Sequence, residues 1–338
     1  MAFTALRQAV PERDIPIIDV ADAVAGVPGA LARAGARLRD AQENVGFYYL
    51  TGHGVPAALI ERMFAETARF HAQPAEAKLA IRQNADNVGY MAPKQAVSRA
   101  NNLDGVARRP DRVEAFFMKR DLAPDHPDVL AGKPFRGVNQ WPADLPGFRE
   151  TCLAYCEAME RLGKRLLPIY ATALDLPPDW FDAAFADPMF TLRLSHYPPA
   201  EDYETEEYGI APHKDSSFLT LLAPNDVPGL AIRSADGEWM AMPPVPGAYV
   251  VNTGDMLARW TNDRFRATPH GAANTSGVER YAVPFFFDCA LDHVMECLPT
   301  CTGPDNPPRY PPTTYRDYML WYTTSNYANV AAARGAAE

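Results

Sequence analysis

Several classes of protein are ruled down by what this chain has little of. It carries only five cysteines in 338 residues (Cys152, Cys156, Cys289, Cys297 and Cys301). An odd count without a secretion signal argues against a disulfide framework. Cys152 and Cys156 stand one helical turn apart, as do Cys297 and Cys301 if that stretch is helical, yet no compact pair-of-pairs zinc pattern is present. Small packing residues are the expectation. No uninterrupted apolar run approaches the roughly 20 residues of a membrane span. The opening Met1-Ala-Phe-Thr-Ala-Leu-Arg-Gln-Ala9 lacks a basic segment followed by a long apolar one, so no signal peptide and a cytoplasmic location are expected. Positive charge is scarce too: 32 basic against 42 acidic side chains give a net charge of −10 with no run of like charges. Nucleic acid and anionic membranes are therefore not expected as main partners, and no protein partner is evident.

The composition is otherwise that of a globular protein able to bury a large core, with 47% hydrophobic and 22% charged residues. Prolines are abundant and often doubled (Pro177-Pro178, Pro198-Pro199, Pro243-Pro244, Pro307-Pro308, Pro311-Pro312), which marks a fold with many turns. Helical periodicity is expected from Gly29 to Glu43, from Pro56 to Ala72 and from Phe148 to Leu174. The last of these carries a stripe of Tyr155, Met159, Leu162, Leu166 and Ile169, and Pro168 is expected to kink it. Strands are expected at Ile15–Asp19 and Gly46–Leu50. After residue 185 the character changes to short β-type runs at Phe190–Tyr197, Phe218–Leu222, Leu230–Arg233, Ala248–Asn252 and Tyr281–Asp288. Such a series predicts a sandwich or barrel. The chain thus divides into a helical N-terminal region (1–185), a mainly β core ending in a helix at Tyr315–Thr323 (186–326) and a tail (327–338).

The chemistry concentrates in that core. Within Ile210-Ala-Pro-His-Lys-Asp-Ser216, His213 and Asp215 are two apart, so an extended strand would aim both at one ion. His270, in Thr268-Pro-His-Gly271, would complete a set of two imidazoles and one carboxylate. That set leaves about three octahedral positions open and suits non-haem Fe(II) that must also hold O2 and a co-substrate. Arg280 follows ten positions after His270 and offers a guanidinium fork for a carboxylate. Zinc is the rival metal, but no His-Glu-x-x-His helix is present. His53, His71, His126 and His293 have no convincing ligand partner in sequence, and His196 alternates against Tyr197 and should face the other side of its strand. Asn252 and Asp255 are expected at a turn beside the site.

At these residues the chain resembles the isopenicillin N synthase-like branch of the Fe(II)/2-oxoglutarate-dependent oxygenases. The likeness also takes in Asn44-Val-Gly-Phe-Tyr-Tyr-Leu-Thr-Gly-His-Gly-Val-Pro56, Arg193-Leu-Ser-His-Tyr-Pro-Pro199 and Asn252-Thr-Gly-Asp255, and so spans nearly the whole length. It implies a double-stranded β-helix (jelly roll) with a helical N-terminal region and a C-terminal helix. By the same resemblance, His213, Asp215 and His270 correspond to the iron ligands, and Arg280 and Tyr197 to the groups that hold the distal carboxylate of 2-oxoglutarate. The implied reaction is oxidation of a small molecule by hydroxylation, desaturation or cyclisation, with release of succinate and CO2. Three alternatives stay open: an oxidase without 2-oxoglutarate, fragmentation of 2-oxoglutarate to ethylene or succinate, and a non-catalytic jelly roll keeping a structural metal.

Two positions depart from the family pattern. Arg280-Tyr-Ala282 has alanine where the family usually has serine, which removes a hydrogen bond to a charged group worth roughly 1.5–3 kcal/mol. Lys214 stands where many relatives carry threonine and should point away from the metal. The substrate pocket suggested by the resemblance draws on Tyr90, Arg99, Asn101, Asn102, Phe116 and Phe117, with Arg193 from the core strand and Trp321 and Tyr322 from the last helix. Aromatics mixed with arginine and asparagine suit a small substrate with a carboxylate or other polar handle.

Overall fold

The computed structural model describes residues 15–95, 110–199, 207–223 and 225–326. Its centre is a nine-stranded sheet. In chain order the strands of this sheet and of a second, smaller one are β1 (Ile17–Asp19), β2 (Phe47–Thr51), β3 (Gly89–Met91), β4 (Glu114–Met118), β5 (Met189–Tyr197), β6 (Ile210–His213), β7 (Leu219–Leu222), β8 (Leu230–Arg233), β9 (Trp239–Ala241), β10 (Tyr249–Thr253), β11 (His270–Ala272), β12 (Arg280–Ala282) and β13 (Pro284–Asp288). The large sheet runs β1-β2-β10-β7-β13-β5-β4-β3, with β12 also on β5, and a four-stranded sheet runs β6-β11-β8-β9.

Alternation along the strands explains the layering. In β2, Tyr48 and Leu50 enter the main core, whereas Phe47 and Tyr49 join Ile232, Met240 and Val250 in a second cluster. In β4, Phe116 and Met118 point into the main core, and Ala115 and Phe117 pack with Tyr197, Ala272 and Ala282. The large sheet is therefore buried on both faces: helices cover one, and the small sheet covers the other. Two facing sheets are what the series of β-type runs predicted, and they form the jelly-roll core that the family resemblance implied.

The helical layer follows from apolar stripes at helical spacing. Helix α1 (Ala30–Asn44) buries Ala30, Ala34, Leu38 and Ala41. Helix α2 (Ala57–His71) buries Ile60, Met63, Thr67 and Phe70. Helix α3 (Phe148–Ala173) buries the predicted Tyr155, Met159, Leu162, Leu166 and Ile169. Each such large side chain contributes roughly 1.5–3 kcal/mol of burial. Pro168 lies inside α3, and the helix continues to Ala173. Gly163 lets α3 approach the sheet, since a Cβ there would lie 2.8 Å from the Phe287 ring. Two tyrosine pairs tie α3 to the sheet, Tyr170 to Tyr48 and Tyr155 to Tyr249, each 3.1 Å between hydroxyls.

Strands β3 and β4, not expected from the sequence, extend the sheet at one edge as β1 and β2 do at the other. All five residues of β4 are buried. A strand covered on both faces has no polar alternation to betray it. Of the two residues expected at a turn, Asn252 lies within β10 and Asp255 opens a short helix, α4 (Asp255–Trp260). The C-terminal helix, α5 (Tyr315–Asn326), lies where it was expected. Among the described residues no helix is long and apolar enough to cross a membrane. The five cysteines are free thiols and four of them are buried.

Candidate active site

The register of β6 and β11 sets His213 directly opposite His270, with ring centroids 4.4 Å apart. Strand β6 ends at His213, so Asp215 lies beyond the strand rather than on its face as expected. Hydrogen bonds bring it back to the same point. The Asp255 amide donates to the Asp215 carbonyl at 2.7 Å, while Thr220 Oγ1 and Asn252 Nδ2 donate to Asp215 Oδ2 at 2.6 and 2.8 Å. Oδ1 is left facing His213 Nε2 and His270 Nε2, 3.6 Å from each.

The outer nitrogens fix the tautomers. His213 Nδ1 donates to the Ala211 carbonyl at 2.8 Å and His270 Nδ1 to the Thr268 carbonyl at 3.1 Å. A carbonyl only accepts, so both protons sit on Nδ1 and both Nε2 lone pairs point inward. Two donors 3.6 Å apart can share one cation at about 2.0–2.2 Å from each. Burial alone would raise the Asp215 carboxyl, but His270 and His213 outweigh it and hold it well below the usual range. Burial, with the neighbouring His270, lowers His213. For His270 the pull of Asp215 overcomes burial and raises it. An ionised carboxylate facing two imidazole nitrogens is a donor set for a divalent metal, and the residues fit iron.

Two chambers meet at this point. An inner one of about 530 Å³ lies between the sheets and is bordered by Ser195, Tyr197, Arg280 and Ala282 together with the triad. Arg280 is buried, its guanidinium lies 4.7 Å from the centre of the Tyr197 ring, and its Nε donates to the Val227 carbonyl at 3.3 Å. Gly229 makes room for it: with φ at +146°, a Cβ there would lie 2.4 Å from the Ala273 carbonyl and 3.1 Å from Arg280 Nε. An outer chamber of about 780 Å³ reaches α5 through Met319, Tyr322 and Thr323, and both chambers are partly open to solvent. Arg193, His213 and Asp215 border both chambers.

The chain's similarity to known proteins agrees with this geometry. Residues 188–288 match the model of the 2OG-Fe(II) oxygenase superfamily, and residues 15–144 match that of the non-haem dioxygenase in morphine synthesis N-terminal region. The 2-oxoglutarate-Fe(II) type oxidoreductase hxnY of Emericella nidulans is 36% identical over 94% of this chain and 91% of its own length. The chain belongs to the 2OG-Fe(II) oxygenase superfamily. Kihadalactone A synthase LFS of Citrus sinensis is 38% identical over 85% of this chain and 86% of its own. Among solved structures, a 2OG-Fe(II) oxygenase family protein from Caulobacter crescentus superposes with a TM-score of 0.79 at 28% identity, covering 92% of this chain and 98% of that one. The enzyme is accordingly a 2-oxoglutarate-dependent dioxygenase that uses Fe(II), 2-oxoglutarate and O2.

Of the residues singled out in sequence for its substrate, Arg193, Phe117 and Tyr322 border the outer chamber. Phe116 points the other way and packs on Phe70 and Phe148. Trp321 is half exposed on α5, next to Tyr318 and Arg259 rather than in the chamber. Arg99, Asn101 and Asn102 lie outside the described residues. The structure adds Asn87, Asp111, Thr191, Asp288, Thr323 and Asn326 as borders of the chamber, residues with no motif to mark them.

Tyr90 belongs to a different assembly, in which His71, set aside in sequence, does find partners. The Tyr90 hydroxyl donates to Glu114 Oε2, which also takes Lys78 Nζ at 2.8 Å. His196 Nδ1 lies 2.7 Å from Glu114 Oε1, its Nε2 meets Glu279, and His71 stands 3.5 Å from Glu114 Oε1. Burial would raise the Glu114 carboxyl, yet His196, His71 and Lys78 outweigh it and hold it far below the carboxylate range. Lys78, Tyr90 and His196 already occupy both of its oxygens, so this cluster ties α2 to the sheet as an ion network. His196 faces away from the oxygenase site, as strand alternation predicted.

Asp288, on the outer chamber wall, carries a pH signature. Its Oδ1 accepts from the Phe218 amide at 2.8 Å and its Oδ2 from the Tyr315 hydroxyl at 2.7 Å, and burial pushes its carboxyl up to about 6. Between the unfolded value near 4 and this folded value, the native protein holds a proton that the unfolded chain has released. Its contribution to stability therefore declines as pH rises through that window. Asp288→Asn should remove the decline, so the variant gains thermal stability relative to the parent at pH 7.5 and not at pH 4. A stability difference between the two proteins that does not change with pH would contradict this assignment.

Proposed function

We propose that His213, Asp215 and His270 bind the Fe(II), that Arg280 and Tyr197 hold the distal carboxylate of 2-oxoglutarate in the inner chamber, and that the outer chamber takes a small substrate carrying an anionic group. The observation that carries the reading is the convergence of two Nε2 lone pairs and one carboxylate oxygen, with each outer atom already hydrogen-bonded. Iron and 2-oxoglutarate supply oxidation of a C–H bond, with succinate and CO2 as co-products. The protein's part is position and dryness. Thr220 and Asn252 hold Asp215 so that Oδ1 stays on the metal side. The carbonyls of Ala211 and Thr268 hold the two rings.

Arg193 supports the anionic substrate. It is buried, its Nε has no hydrogen-bond partner, and among the described residues no carboxylate pairs with it. Its guanidinium instead lies 5.2 Å from the centre of the Phe117 ring. A buried charge left without a counter-ion costs several kcal/mol, and an anion arriving beside the metal would relieve that cost. With Fe(II) restored under anaerobic conditions, O2 uptake and succinate release should require 2-oxoglutarate and stay slow without a second molecule. A screen of amino acids, small organic acids and aromatic acids should find one that accelerates both. O2 uptake indifferent to 2-oxoglutarate would favour the oxidase alternative. Rapid ethylene or succinate formation with no added substrate would favour fragmentation.

A further inference from the structure

Strand β12 lies antiparallel to β5, and their register sets Arg280 opposite Tyr197 and Ala282 opposite Ser195. Residues paired across antiparallel strands point to the same face, with Cβ atoms about 4.5–5.5 Å apart. Arg280, Tyr197, Ala282 and Ser195 accordingly all border the inner chamber. Leu194 and His196, which flank Ser195 on β5, point the opposite way, into the main core and towards Glu114. Ala282 has no polar atom to offer. Ser195 does: it is 1% exposed, and its Oγ has no hydrogen-bond partner. A buried hydroxyl left unmet costs roughly 1–3 kcal/mol, and native structures rarely keep one without a reason.

We propose that Ser195 is a 2-oxoglutarate-binding residue of this enzyme, its hydroxyl donating to the distal carboxylate held by Arg280 and so supplying from β5 the hydrogen bond that Ala282 cannot supply from β12. The inference rests on the reading of the inner chamber as the 2-oxoglutarate site. The two strands are neighbours and the two positions are paired, so moving the hydroxyl from one strand to the other keeps it at the same end of the chamber. The exchange also accounts for the orphaned hydroxyl: its acceptor arrives with the co-substrate. Tyr197 and Arg280, paired two positions along the same ladder, would complete three donors around one carboxylate.

The test is calorimetric titration of 2-oxoglutarate into the anaerobic protein loaded with Mn(II), which needs no turnover. Parent, Ser195→Ala, Ala282→Ser and the double variant are compared, each checked for a melting temperature no lower than the parent's. Ser195→Ala should weaken 2-oxoglutarate roughly ten- to hundredfold, the range for a hydrogen bond to a charged group. Ala282→Ser alone should change little, because the carboxylate is already satisfied. The double variant should recover most of the loss, since the hydroxyl is restored from the facing strand. Titration with 2-oxopentanoate, which ends in a methyl group, should give the same affinity for parent and Ser195→Ala. Parent protein that binds no 2-oxoglutarate would overturn the reading of the chamber itself. Parent binding that Ser195→Ala leaves intact, or a loss equal for both ligands, would overturn only the role of Ser195.

Discussion

Alanine at any one of His213, Asp215 and His270 is expected to abolish 2-oxoglutarate-dependent O2 uptake and to leave the protein with far less than one Fe(II) per chain. The size of the effect follows from the geometry. Each residue gives one inward donor, and the three are held together by strand register and by Asp215's own hydrogen bonds. Two remaining ligands do not reproduce the facial set that leaves about three positions for co-substrate and oxygen. A graded control lies one shell out. Asn252→Ala removes the donor 2.8 Å from Asp215 Oδ2 but keeps all three ligands, and should cost roughly 10–100-fold in metal affinity. Metal content after dialysis against Fe(II), read beside an oxygen electrode, checks both. Full iron binding and turnover in any triad variant would remove that residue from the metal site.

That contrast bears on what the sequence could show. His213, Asp215 and His270 were legible because their chemistry is rare in combination and their order along the chain is distinctive. Their environment was not. Asp215 sits past the end of its strand, positioned by Thr220 and by the amide of Asp255, contacts that only the folded chain creates. The long amphipathic helices were readable from periodicity, and α3 begins at Phe148 as expected. Strand β4 was not, because burial on both faces erased its alternation. His71 illustrates the same limit for polar groups. Nothing near it in sequence suggests a partner, and Glu114 and His196 reach it only through the pairing of β4 with β5. Ser195 was visible within the Arg193–Pro199 string, but its relation to Ala282 is a property of register alone.

Arg193 carries the other large expectation, and two measurements bear on it in opposite directions. If its guanidinium awaits the substrate's anionic group, Arg193→Gln should reduce the stimulation of succinate release by the acid found in the screen. Losing one partner of a desolvated charge pair costs roughly 2–5 kcal/mol, which is about 30- to 4000-fold in kcat/KM for that acid. The same change removes a buried charge that no described carboxylate offsets, so the substrate-free protein should melt at the same temperature or higher. A residue serving only to hold the fold would behave in the reverse way, with lower melting temperature and stimulation largely retained. Because Arg193 borders both chambers, the co-substrate provides the third reading. Binding of 2-oxoglutarate to the Mn(II)-loaded, substrate-free variant should stay close to that of the parent. A large loss there would transfer Arg193 from the substrate to the co-substrate, and the outer chamber would then need a different anchor.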